Sequence, residues 1–211
     1  MTMFFRTAAL SALFTLALTA CGWAEDPAPM NPLEPTKHDR IMGDANAPVR
    51  LVEYASMTCN HCADFHKQTL PQLKKDYIDT GKVQYILRDM PWDNMALAAS
   101  KLARCAAPEN YYLVVDAIMA SQGKWITAKD PLAELKLLAR MGGGLKDDQM
   151  DACLKDPDLH QRLIAGQRLA QDALGVKSTP TFFVGADMVE GAQTYDTFKT
   201  VIEKNLSAVK K

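Results

Sequence analysis

Residues 93–174 form a long block of helical sequence, and β-type sequence lies on both sides of it. No other feature limits the fold of this chain so strongly. Before the block, residues 49–55 (Val-Arg-Leu-Val-Glu-Tyr-Ala) are mostly β-branched and apolar, as a buried strand requires. Pro48 precedes them, where a missing N–H does little harm. Residues 60–79 are predicted to be a helix, with Phe65, Leu73 and Tyr77 near one face, a kink at Pro71 and a stop at Gly81. Residues 83–87 return to strand. Within the block, helices are predicted at 95–105, 110–121, 132–141, 147–154 and 158–173. The third is stopped by Gly142-Gly143-Gly144 and the last by Gly175. After the block come Thr181-Phe182-Phe183-Val184, a turn at Gly185-Ala186-Asp187, Met188-Val189-Glu190, and a closing helix at 194–206. Strands joined by a crossover helix run parallel, and strands one short turn apart form an antiparallel hairpin. The chain therefore reads as α/β: a β-α-β unit and a β-β-α unit flanking an inserted all-helical domain.

The 211 residues are 48% apolar and 23% charged, enough for one domain to bury a core of its own. Lys and Arg number 24 against 25 Asp and Glu, so the net charge is −1. There is no basic excess for nucleic acid.

The first twenty residues differ from the rest. Arg6 is followed by an apolar run through Leu18, and no acidic residue appears before Glu25. This pattern is that of an export signal, too short for a comfortable membrane span. It ends in Leu18-Thr19-Ala20-Cys21-Gly22, which is similar to a bacterial lipoprotein box with Cys21 as the lipidated residue. Ordinary cleavage after Ala24 is the other reading. Residues 21–37, with Pro27, Pro29, Pro32 and Pro35, form a Pro-rich tether. The expected location is the periplasm, with Cys21 holding the protein to a membrane surface.

Export places the cysteines in an oxidising compartment. With Cys21 set aside, four remain: Cys59, Cys62, Cys105 and Cys153. Cys59-Asn60-His61-Cys62 follows the first strand and opens the helix. At a helix N-terminus, unpaired N–H groups and the macrodipole favour a negative charge, so a thiolate at Cys59 is stabilised. Two residues of spacing bring Cys62 within reach of a small disulfide ring. Exchange needs an exposed attacking sulfur and a shielded resolving one; Cys59 fits the first role and Cys62 the second. His61 can support the Cys59 thiolate by hydrogen bond or charge, unless it is an uncoupled surface His. A c-type haem site needs His directly after the second Cys, and Ala63 is there. Zinc on Cys59, Cys62 and His66 lacks a closed set of four ligands, so no metal or other cofactor is expected. A purely structural Cys59–Cys62 bridge would contribute little, because its loop is so short.

Residues 49–62, the helix after them, the helical insertion and Ser178-Thr179-Pro180-Thr181-Phe182-Phe183 together resemble the DsbA-like branch of the thioredoxin superfamily. The resemblance covers about residues 38–206. It implies a thioredoxin fold with an inserted helical domain. It also implies that Pro180 is a cis proline facing the redox pair; without it, a trans proline starting a strand would be the default. In that geometry the Thr179 backbone binds an extended substrate peptide beside the mixed disulfide. Glu53 matches the acidic residue of the family's first strand and would shuttle the Cys62 proton, provided it faces inward. Asn60-His61 departs from the Pro-His pair of strong oxidases, which puts the potential in doubt. The dimeric isomerases carry an N-terminal dimerisation domain; here only the tether stands, which points to a monomeric oxidase. Cys105 and Cys153, both in the insertion, are expected to form a structural disulfide rather than remain as buried thiols.

The function expected is oxidation of exported Cys-containing proteins, with reoxidation by a membrane partner. A reduced isomerase or reductase, and a non-catalytic lipoprotein binding module, are the alternatives.

Overall fold

The structure is a computed structural model and describes residues 34–209. The expected signal, Cys21 and the tether up to residue 33 lie outside the described residues.

A mixed sheet of five strands runs in the order β1-β3-β2-β4-β5. They are β1 (Ile41–Met42), β2 (Val49–Ala55), β3 (Val83–Asp89), β4 (Thr181–Val184) and β5 (Asp187–Glu190). β2 and β3 are parallel across the crossover helix; β4 pairs antiparallel with both β2 and β5. β1 carried no signal in the sequence. Two residues, paired with Ile86 and Tyr85, are too short to show an alternation.

Both faces of the sheet are covered, which is why β2 is apolar almost throughout. Leu51 and Ala55 face the larger core with Cys62, Phe65 and Phe198. Val52 and Tyr54 face the smaller one with Ile86, Phe183 and Ala170. Strand alternation therefore puts Glu53 on the side of Leu51 and Ala55, beneath the first helix. It is fully buried.

Helix α1 spans residues 60–78. It starts in α geometry at Asn60–Asp64, widens to π-turns at Phe65–Thr69 and Lys74–Ile78, and is α again at Leu70–Leu73. Pro71 sits just after the first π-turn, where the regular hydrogen-bond ladder is already interrupted, and the helix runs on through it.

The insertion contains α2 (Asn94–Cys105), α3 (Tyr111–Ala120), α4 (Gln122–Trp125), α5 (Pro131–Gly143), α6 (Asp147–Lys155) and α7 (Pro157–Leu174). α5 continues past the expected stop and takes in Gly142 and Gly143. A Cβ on Gly142 would lie 3.1 Å from the Leu113 carbonyl oxygen, and one on Gly143 2.9 Å from Val114 Cγ2. Those glycines let α5 approach α3; Gly144, with φ of 66°, ends the helix. Cys105 and Cys153 are joined by a disulfide that ties α2 to α6, with Cα atoms 6.2 Å apart. The closing helix α8 (Tyr195–Val209) packs Phe198 and Ile202 into the larger core. Among the described residues, no helix is long and apolar enough to cross a membrane.

Candidate active site

Cys59 is the N-cap of α1, with extended backbone at φ −80° and ψ 120°. Cys62 lies one turn on and is fully buried, whereas Cys59 is partly exposed. Both are free thiols in this state. The Thr179–Pro180 peptide bond is cis. It brings the Thr179 carbonyl to the cysteine, and the Cys59 thiol donates to it at 3.2 Å. The Thr179 hydroxyl accepts from Trp92 Nε1 at 3.1 Å, which leaves its own hydrogen for the sulfur.

The two thiols are pushed in opposite directions. The Cys62 thiol beside Cys59 stabilises the Cys59 thiolate most; burial opposes it. The Thr179 side chain and the backbone N–H groups of Cys62 and His61 then hold the Cys59 pKa down to about 5. For Cys62, burial comes first, then the Cys59 sulfur and the Glu53 charge, and all three raise its pKa far above that of a free thiol. At neutral pH the reduced pair is therefore one thiolate and one thiol.

His61 is exposed. What it supplies to Cys59 is its backbone N–H, a contribution any non-proline residue makes at that place.

The insertion holds this loop from one side. Gln122 is buried and donates through Nε2 to the carbonyls of Met57 (2.9 Å) and Cys59 (3.0 Å). The Thr58 hydroxyl donates to Asp93 Oδ2 at 2.6 Å, while Asp93 Oδ1 caps α2 through Met95 N and Ala96 N. Replacing Gln122 with Leu leaves two carbonyls of the loop short of a donor. It is expected to destabilise the reduced protein by about 1–3 kcal/mol, measured by urea unfolding; a change within about 0.5 kcal/mol would show that the loop does not depend on this tether. Beside the loop, Thr58, Asp93, Met95, Trp125, Ile126 and Pro131 line a cleft of about 350 Å³, and Trp92 stands exposed next to Thr179.

Beneath the pair lies a buried polar group. The Tyr85 hydroxyl donates to Glu53 Oε2. His66 Nε2 is 3.3 Å from the same oxygen, and His66 Nδ1 is 3.5 Å from Asp116 Oδ1. Burial alone would lower the His66 pKa, but Glu53 and Asp116 outweigh it and carry it up to about 9.

So Cys59, Cys62, Thr179 and Pro180 meet at one place, with Glu53 underneath, while Cys105 and Cys153 stand apart in the insertion. In the sequence His66 stands out only as a metal-ligand candidate, and Tyr85, Trp92, Asp116 and Gln122 carry no mark of a site. The spacing of His66, four residues after Cys62 on the same helix face, was the available signal.

Comparison with known proteins agrees with this geometry. A family model described as thioredoxin matches residues 35–204. A putative protein-disulfide oxidoreductase of Rickettsia conorii is 32% identical over 174 residues, which cover 82% of this chain and 62% of the relative. The chain thus spans less than two thirds of that relative's length. The crystal structure of Wolbachia pipientis α-DsbA1 superimposes with a TM-score of 0.76 at 33% identity, covering 84% of this chain and 95% of that one. BdbD of Bacillus subtilis, at 22% identity and a TM-score of 0.73, shares the fold. The chain belongs to the DsbA-like branch of the thioredoxin superfamily.

Proposed function

We propose that this protein is a thiol–disulfide oxidoreductase that introduces disulfides into exported Cys-containing proteins through Cys59 and Cys62. The observation that carries the reading is the placement of the two sulfurs, a partly exposed Cys59 at the N-cap of α1 against the Thr179 carbonyl beside cis Pro180, and a fully buried Cys62 one turn on. It holds the Cys59 pKa down to about 5 and pushes that of Cys62 far up. A stable Cys59 thiolate stabilises the reduced form, which makes the Cys59–Cys62 disulfide an oxidant. The names of the Rickettsia relative and of the Wolbachia structure support the same class of reaction.

In the proposed cycle, a substrate thiolate attacks Cys59 of the disulfide. The Cys59–Cys62 bond breaks, a mixed disulfide forms at Cys59, and Cys62 leaves and takes up one proton. Glu53 is proposed to hand that proton over. A second substrate thiolate attacks the substrate sulfur of the mixed disulfide and expels Cys59 as its thiolate. The substrate has then lost two electrons and the pair has gained them. The exposed Cys59 sulfur and the Thr179 carbonyl beside cis Pro180 offer an extended peptide a place to lie. A disulfide on a membrane partner restores the pair, with Cys62 returning its proton. Residues 1–20 would direct export to the periplasm, and lipid on Cys21 would keep the domain at a membrane surface; the protein would act as a monomer.

Mixing the oxidised protein with a reduced peptide that carries two thiols tests the reading. Expected is one peptide disulfide formed per protein, with loss of the Cys59–Cys62 bond. Peptide left reduced, or a mixed disulfide formed at Cys105 or Cys153 instead, would overturn it.

A further inference from the structure

Trp92 is 43% exposed, yet its one polar atom is in use. Its Nε1–H donates to Thr179 Oγ1 at 3.1 Å. The residue stands on the short connection from β3 to α2, Met90-Pro91-Trp92-Asp93. That connection is held at its start, where Met90 and Pro91 are buried and Met90 N donates to the Ala55 carbonyl at 2.7 Å. It is held at its end as well, where Asp93 caps α2 and accepts from the Thr58 hydroxyl. Pro91 has a narrow range of φ, which fixes the path of the chain into Trp92. Two neighbouring residues therefore grip the two segments that meet at the Cys59 sulfur: Asp93 through Thr58, and Trp92 through Thr179.

Thr179 offers the sulfur two partners with opposite preferences. Its carbonyl accepts from the Cys59 thiol at 3.2 Å, a contact that needs the sulfur's proton and so favours the thiol. Its side chain acts the other way and lowers the Cys59 pKa, because a hydroxyl that donates to sulfur favours the thiolate. How well it does so depends on where the hydroxyl hydrogen points. A hydroxyl with no partner rotates freely and can turn to water. With the Trp92 N–H on the Thr179 oxygen, the hydrogen cannot point at the indole and is left for the sulfur. A hydroxyl that accepts one hydrogen bond is also polarised, which makes it a stronger donor in the next.

We propose that Trp92 is a positioning residue for the redox pair, whose indole N–H fixes and polarises the Thr179 hydroxyl as the donor to the Cys59 thiolate. The proposal rests on the assignment of Cys59 and Cys62 as that pair. When the Cys59 thiol ionises, the Thr179 carbonyl loses its donor and is open to a peptide N–H of the substrate, while the hydroxyl stays with the sulfur. One residue thus serves the substrate through its backbone and the Cys59 thiolate through its side chain. Trp92 keeps the side chain on the sulfur.

A double-mutant cycle tests this. Trp92→Phe keeps a ring at an exposed position and removes the N–H; Thr179→Val removes the hydroxyl and keeps the branched shape. Cys59 is titrated in the reduced wild type, in each single variant and in the double variant by the ultraviolet absorbance of its thiolate, and the redox pair is equilibrated with glutathione. Expected in Trp92→Phe is a Cys59 midpoint higher by about half to one pH unit. The equilibrium constant for oxidising glutathione falls with it by about threefold to tenfold, which is about 15–30 mV. Thr179→Val raises the midpoint at least as far. The double variant titrates where Thr179→Val does, because the indole has no hydroxyl left to act on. A role in packing alone would lower stability and leave the midpoint in place. A midpoint that stays at about 5 in Trp92→Phe, or that rises further when Trp92→Phe is added to Thr179→Val, would overturn the proposal while leaving the redox pair standing. If the wild-type protein oxidises no peptide, the proposed function falls, and the same titrations still decide the role of Trp92.

Discussion

Replacing Cys59 with Ser lowers oxidation of a dithiol peptide by at least about three orders of magnitude. The hydroxyl that takes the place of the sulfur forms no disulfide, and Cys62 alone is fully buried and held as a thiol. Cys62→Ser behaves differently. It keeps the partly exposed Cys59 with its Thr179 and backbone partners, but holds no disulfide to donate, so it oxidises no dithiol peptide. Its Cys59 thiolate instead attacks a disulfide already present in another protein: that S–S bond breaks, one of its sulfurs leaves as a thiolate, and the mixed disulfide at Cys59 persists because Cys62 is not there to displace it, giving bands that vanish on reduction. The pair of outcomes assigns the exposed and resolving roles separately. Substantial peptide oxidation by Cys59→Ser would remove the catalytic assignment.

Removing the other bridge has its large effect on stability. Cys105 and Cys153 are 48 residues apart in sequence, and opening a loop of that size restores chain entropy to the unfolded state worth about 4 kcal/mol. The bridge ties α2 to α6 next to Leu159 and Leu163. Lys101, from the same helix as Cys105, donates to the carbonyls of Leu154 and Asp156 at the end of α6, at 2.8 and 2.9 Å. Those contacts survive in the double variant Cys105→Ala/Cys153→Ala, so the fold is kept and its melting temperature falls by roughly 8–16 °C. Calorimetry of the oxidised proteins checks it. Peptide oxidation per folded molecule is expected to stay at the wild-type level, since neither sulfur is near Cys59. A loss of less than about 1 kcal/mol would mean that the unfolded chain gains little from release of this loop.

What was readable in the sequence was what short, local segments encode. Cys59 at a strand–helix junction and Thr179-Pro180 at a strand start each announce themselves within a few residues. The parallel β2–β3 pair and the β4–β5 hairpin followed from element order and turn length. Glu53 was ambiguous, because β2 is covered on both faces and so lacks the apolar–polar alternation that would mark which face a residue takes. Strand β1 was too short to read. The run through Gly142 and Gly143 looked like a stop because their role depends on how closely α3 passes by. The imidazole is what marks His61 in the sequence, whereas in the structure its backbone N–H is what reaches Cys59. The polar group around Glu53 was hidden for a different reason. Tyr85, His66 and Asp116 come from three elements, and only tertiary packing brings them together.

The reduction potential of the Cys59–Cys62 pair, measured against glutathione buffers as a function of pH, decides most directly whether the protein donates disulfides. Cys59 is the group with the depressed pKa. Its thiolate stabilises the reduced form above about pH 5, and that stabilisation is lost as pH falls through about 5. Relative to thioredoxin, whose thiol titrates near 7 and whose potential is about −270 mV, a thiol two units more acidic raises the potential by about 60 mV. The expected result is a potential at or above roughly −210 mV at neutral pH. Its slope is expected to be about 30 mV per pH unit above pH 5, where one proton accompanies two electrons, and about 60 mV per unit below. A potential at or below about −270 mV, with the steeper slope continuing through neutral pH, would contradict both the thiolate at Cys59 and the oxidising direction.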